Sequence, residues 1–340
     1  MQMYSRVAAA FALLAASLPA LAASATATRA WQFKPESNAG LTVRNLMGTV
    51  RVERGTASGF HVTATTTIDA PSQAEADRLI GLVDFRTADV GPGSRLDVRL
   101  PRTHFPKIYS ERGSDGWWSV SYVEHLGERI RLVGKPGEAP AVRVDLLIRA
   151  PAGAKLEVEN TFGDAVAQGY SGTLRLDGGS DLLSSTGGEG DVELDNGSGE
   201  VIVGGHRGRV VADTGSGRVK ITGCECEISA DTGSGSVEAR GLTDVRSLEI
   251  DTGSGDVNIE GDLSALTQLH IDTGSGSVKL RSLAQPSMEI RIDTGSGDVN
   301  VNAPGASVRE SDGVTTVRMK DGTHRGVIDT GSGSVDLNFQ

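Results

Sequence analysis

With 340 residues, 45 glycines and only 4% aromatic residues, the chain is long but poor in the large side chains that fill a broad core. Its formal charge of −11 is uneven: residues 160–340 hold 28 acidic against 14 basic side chains, a balance of −14, so the first 159 residues carry +3. An acidic C-terminal half argues against a nucleic-acid partner, and no stretch after residue 22 is apolar enough to suggest a membrane helix.

Residues 1–22 read as a secretory signal peptide. Arg6 supplies the charged start, Val7 to Ala16 an apolar run too short to span a bilayer, and Ala20-Leu21-Ala22 a small-x-small cleavage site. No cysteine follows that site, so no lipid anchor is expected there. The expectation is an exported protein of the periplasm or cell surface.

Residues 23–150 read as a strand-rich capping region. Residues 41–52 have the pattern of one short strand, a turn at Gly48 and a second strand. A strand is expected at 61–68. Residues 72–80 are the one helix candidate, with Ser72 as N-cap and Glu75 three residues on. Strands are expected at 82–86, 95–100 and 142–148. Between them, residues 104–137 form an insertion holding Phe105, Tyr109, Trp117, Trp118 and Tyr122 in a chain otherwise poor in aromatics. Local packing is the favoured reading of these rings. Ligand contact by Tyr109, Trp117, Trp118 and Tyr122 is the alternative.

From residue 151 to 340 the sequence repeats, and a fixed period decides the fold. Asp-Thr-Gly-Ser-Gly occurs six times, after a near copy with Asn in second place. The turn residues are Asp195, Gly197 and Gly199 in the near copy, then Asp213, Gly215 and Gly217, Asp231, Gly233 and Gly235, Asp251, Gly253 and Gly255. They continue as Asp272, Gly274 and Gly276, Asp293, Gly295 and Gly297, and Asp329, Gly331 and Gly333. Counting from a looser copy at Asp177, the spacings are 18, 18, 18, 20, 21, 21 and 36. The last is twice 18, which suggests a degenerate unit near 311–313. Apolar and polar residues alternate on both sides of each turn, which is strand periodicity.

One unit buries too little to stand alone, so the units must stack, about 4.8 Å apart. The fold class is all-β: a single-stranded β-solenoid (β-helix) of about 18–21 residues per coil, capped by the irregular N-terminal region with its short helix. The glycines are expected to supply positive φ, and each Asp to bond its own turn amides. Stacking like on like also builds a carboxylate column, in which neighbours about 4.8 Å apart repel by roughly 1 kcal/mol in water. The last coil ends in a strand with no visible cap, and its open edge suggests self-association.

Other motifs carry less. Asp-Thr-Gly-Ser also occurs in aspartic proteases, which need two loops sharing one proton; here every repeat has it and no pair is singled out. Calcium β-rolls have half this period and place Asp after the glycines. Cys224 and Cys226 share one strand face and read as buried core thiols, since a bridge between i and i+2 would be strained. The six histidines are scattered. Neither a catalytic constellation nor a cofactor or metal site is expected.

The coils beginning at Leu156, with Leu156-Glu157-Val158-Glu159-Asn160-Thr161-Phe162-Gly163-Asp164-Ala165-Val166, resemble a bacterial adhesin-like family of β-strand repeats of unknown function. The early coil at 45–52 and the capped helix after Ile68 resemble that family's N-terminal part, so the resemblance spans roughly 40–340; the insertion at 104–137 has no counterpart in it. It implies an exported β-solenoid of the cell envelope, and some relatives are linked to envelope-stress regulation. The expected function is a non-enzymatic envelope adhesin or surface scaffold contacting polysaccharide or envelope protein. The alternatives are a periplasmic accessory to envelope-stress signalling with one protein partner, and a carbohydrate-active β-helix enzyme.

Overall fold

The structure, a computed structural model, describes residues 23–34, 39–55, 58–111 and 121–340. The expected signal peptide, Trp117 and Trp118 lie outside the described residues. Among the described residues the regular structure is all β apart from one helix, in two sheets, and most apolar residues of both pack into one continuous core cluster.

From residue 154 to 302 the chain alternates between the sheets. In each repeat the strand before the turn lies in one sheet, here the carboxylate sheet, and the strand after it in the other, here the opposite sheet. Successive repeats pair in parallel with like on like: Asp195 with Asp213, Asp213 with Asp231, Asp231 with Asp251 and Asp251 with Asp272. Inward residues such as Val210, Ile228, Leu248 and Leu269 form an unbroken apolar column. Because β strands alternate faces, one residue of slippage would expose every one of them. Register is therefore fixed by the core.

The N-terminal region joins the stack as its first repeat. Leu41–Met47 pairs in parallel with Ala154–Phe162, and Val50–Arg54 with Ala165–Gln168. Beyond it the sheets become mixed, parallel and antiparallel, and irregular. Ala141–Ala150 runs antiparallel to Phe60–Ala70, which pairs along its whole length with Ala23–Phe33. The helix forms as expected, at Gln73–Ile80, with the Ser72 hydroxyl accepting from the Glu75 amide at 3.3 Å. In the insertion, Phe105 is fully buried and the strands Lys107–Tyr109, Ser121–His125 and Glu128–Val133 extend the opposite sheet.

The far end departs from the sequence reading. The last strand pair, His324–Thr330 and Val335–Phe339, is not at the end of the stack. It lies between the Asp272 repeat and the Asp293 repeat, paired on both sides in both sheets. No open edge exists at 335–339. The 36-residue gap also holds no degenerate repeat. It contains an antiparallel hairpin, Ser307–Ser311 with Val314–Arg318, turning on Asp312 and Gly313 at φ 53° and 79°. Asp-Gly with both residues at positive φ is the two-residue turn that matches strand twist. The hairpin docks on Met288–Thr294 and extends the carboxylate sheet alone.

Cys224 and Cys226 are buried, as expected, but are joined as a disulfide. The chain bends at this corner, beside Gly223 at φ 60°, and their Cα atoms are 5.4 Å apart, within disulfide range.

Candidate functional site: a groove where cap meets stack

The turns decide what the surface can offer. Threonine, not aspartate, closes them. In the Asp231 repeat the Thr232 hydroxyl accepts from the Gly235 amide at 2.9 Å and donates to the Gly217 carbonyl of the preceding repeat at 3.2 Å. Thr214, Thr252 and Thr273 do the same. The turn glycines are also needed for a different reason than expected, since none of them has positive φ. A Cβ on Gly217, Gly235, Gly255 or Gly276 would sit well under 3.0 Å from the carbonyl oxygen of the repeat beneath. Close stacking, not backbone handedness, requires them. Positive φ is used at the opposite corner, by the column Gly169, Gly187, Gly205, Gly223 and Gly241.

Freed from the turn, the aspartates face outward. The register aligns Glu159, Asp177, Asp195, Asp213, Asp231, Asp251, Asp272, Asp329 and Asp293 in one uninterrupted column. Partial burial, and then their acidic neighbours, raise the carboxyl pKa of Asp177, Asp213 and Asp231; Glu159 is raised by burial against the pull of Arg44. Arg175 offsets part of the charge, contacting Glu193, Asp195 at 3.4 Å and Asp177 at 3.8 Å. At the column's head Arg44 forms a two-point pair with Asp97 at 2.7 and 2.9 Å, which raises the Arg44 pKa. Among the described residues, no three His, Cys, Asp or Glu side chains converge as a metal-binding group.

A concavity lies elsewhere, where the first two repeats meet the cap. It is a groove of about 550 Å³ lined by Met47, Thr49, Thr67, Asp69, Tyr109, Glu111, Arg143 and Phe162 among others. Its floor is held from beneath by two buried asparagines in the turn column. Asn160 donates to the Gly48 and Gly163 carbonyls at 2.9 and 2.7 Å, and Asn45 to Asn160 at 2.9 Å and the Val144 carbonyl at 3.0 Å. The Thr49 amide donates to Asp145 at 2.9 Å, and Asp145 pairs with Arg143 at 2.9 Å. Met47 and Phe162 are register partners at a position where later turns carry Ser. The groove thus combines an apolar strip, one half-buried tyrosine and charges of both signs.

Of the expected contact residues, Tyr109 lines this groove. Tyr122 is 47% exposed on the insertion's hairpin, with the Arg129 guanidinium 4.2 Å from its ring centre, and is not part of the groove lining. The Asp and Gly residues of the repeat turns from Asp195 to Gly333 lie along the stack and do not line this groove. The reading of the sequence missed Met47, Thr67, Arg143 and Phe162, because six separated segments converge here. Phe162, an aromatic in a turn otherwise built of small residues, was the one local signal.

An all-β chain whose parallel repeats stack like on like, with a glycine-and-threonine turn, defines a repeat-built scaffold. The chain belongs to the Toastrack DUF4097 family, which it matches over residues 152–280 and 190–339. None of the curated proteins matches it. Among solved structures, one similar chain is a Clostridium sporogenes protein named for a suspected role in cell adhesion: 12% identity, 93% of this chain and 100% of that one covered, TM-score 0.18. Another is a Parabacteroides distasonis protein named for a suspected role in lipid binding: 9% identity, 91% and 96% covered, TM-score 0.39.

Proposed function

We propose that the protein is an exported, non-enzymatic β-solenoid of the cell envelope, single-stranded in its winding, that serves as an adhesin or surface scaffold. Its ligand, polysaccharide or envelope protein, is held in the groove at the cap–stack junction. The observation that carries this is the groove's lining. Half-buried Tyr109 lines it together with Met47, Arg143, Asp69 and Glu111, around a volume in the range of ligand sites. An aromatic plane with flanking carboxylate and guanidinium groups is the combination that grips a sugar ring or an extended peptide. The stack supports the site through Asn45 and Asn160 and keeps it rigid. Export is supported by the signal-peptide pattern of residues 1–22 and by the buried disulfide, which persists in oxidising compartments.

The test is binding of the mature protein to whole cells and to a glycan array, with wild type beside a Tyr109→Ala/Arg143→Ala variant. Saturable binding lost by the variant, with an unchanged circular dichroism spectrum, is the expected result. If neither protein binds cells or glycans, the reading shifts to a periplasmic accessory with one protein partner. That alternative is favoured by the mixed charge of the lining, and a crosslinking pull-down would find the partner.

A further inference from the structure

The two sheets do not end together. The Asp293 repeat is the last in both, but the hairpin Ser307–Ser311/Val314–Arg318 carries the carboxylate sheet two strands further. Among the described residues, the opposite sheet stops at Val299–Asn302, which pairs only with Val335–Phe339, and Ser307–Ser311 pairs only with Val314–Arg318. The end of the stack is therefore a step two strands deep. Its riser is the Val299–Asn302 edge and its tread is the inner face of the hairpin. Val299 and Val301, half-buried against the core, and the 51% exposed Val308 lie on this step.

We propose that the step is a self-complementary joint by which two copies of this chain assemble end to end. A two-fold axis along the strand direction, midway between the sheets, exchanges the two sheet levels. The overhanging hairpin of each copy then fills the two-strand vacancy of the other, as in a half-lap joint. The strand count closes without gap or overlap: at each level the order runs last repeat, two hairpin strands, last repeat of the partner, or the reverse.

The backbone parity agrees. Asp298 gives its carbonyl to Val335 at 2.9 Å, so residues 298, 300 and 302 face the neighbouring strand and Val299 and Val301 direct their amides and carbonyls outward. In the hairpin, Ser311 and Val314 flank the two-residue turn as a bonded pair, so Val308 and Glu310 direct theirs outward. Strand direction makes the seam antiparallel. Val301 then faces Val308, and Val299 faces Glu310, with about four backbone hydrogen bonds per seam. The Val299–Asn302 edge has no charge, proline or bulge, the devices that usually protect an edge strand. Glu310 is the one opposing feature: its inward charge meets Val299 and keeps the association weak.

Sedimentation of the mature protein from about 10 μM to about 1 mM, the range for a joint smaller than a standard interface, reads this directly. A monomer–dimer equilibrium is expected. Val308→Lys, at an exposed position that leaves folding intact, should weaken it by about tenfold or more, and Glu310→Val should strengthen it. Single variants Val301→Cys and Val308→Cys, mixed and oxidised, should form a covalent pair that neither forms alone. A monomer at every concentration, a dimer indifferent to Val308→Lys, or a crosslink formed by one cysteine variant alone would each overturn the proposal. None of these outcomes depends on the groove or its ligand.

Discussion

Thr232 shows how much a single turn residue carries. It is fully buried, closes its own turn and ties the repeat to its neighbour. Thr232→Val keeps the shape but leaves the Gly235 amide and the Gly217 carbonyl without their partner, at a cost of about 1–3 kcal/mol. Chemical denaturation should show that loss and its recovery in Thr232→Ser. Gly235→Ala should be comparably harmful, since the added carbon meets the Gly217 carbonyl and overpacking costs about 1–3 kcal/mol. Asp213 and Asp231 behave in the opposite sense. Their raised pKa values mean that the folded state holds these protons more tightly than the unfolded chain. Their contribution is most favourable below the ordinary carboxylate range near pH 4 and is lost as pH rises through the folded values. An Asp213→Asn/Asp231→Asn variant should melt above wild type at neutral pH and low salt. The difference should shrink on acidification and on adding salt; a constant difference would show that charge is not its cause.

At the scale of elements, the repeating strands, the early repeat at 41–52 and the capped helix were legible because each has a local signal: alternation, a glycine turn, a capping box. Ser72→Ala should lower stability by about 1 kcal/mol, measurable by denaturation. What escaped was set by distance. The strand Ala23–Phe33 directs only Ala25 and Phe33 into buried positions, so its pattern is weak; only its pairing with Phe60–Ala70 defines it. The disulfide depends on a bend that strand geometry alone does not anticipate. The groove draws on six segments, and Asn45 and Asn160 beneath it look in sequence like ordinary turn residues. Phe105 followed the bland expectation for loop aromatics and is core.

For the molecule as a whole, the period of 18–21 residues revealed that repeats stack but not the order in which they do so. Proximity in sequence and in space part company at the Asp293 repeat, whose neighbour in the stack is the Asp329 repeat, 36 residues on. Removing residues 324–340 should therefore do more than shorten the stack. Met288–Thr294, Val299–Asn302 and the hairpin would lose the strands that join them to the Asp272 repeat. Limited proteolysis of that truncated chain should cut within 286–323 and leave the earlier repeats protected. The intercalated repeat also imposes a timetable. A chain emerging from its N-terminus can add each repeat to the growing stack as far as Asp272. The next must then wait, held off by the width of a strand layer, until residues 324–340 arrive and slide into the space. A chain interrupted between the Asp293 repeat and that segment is left with a loose tail rather than a slightly shorter stack.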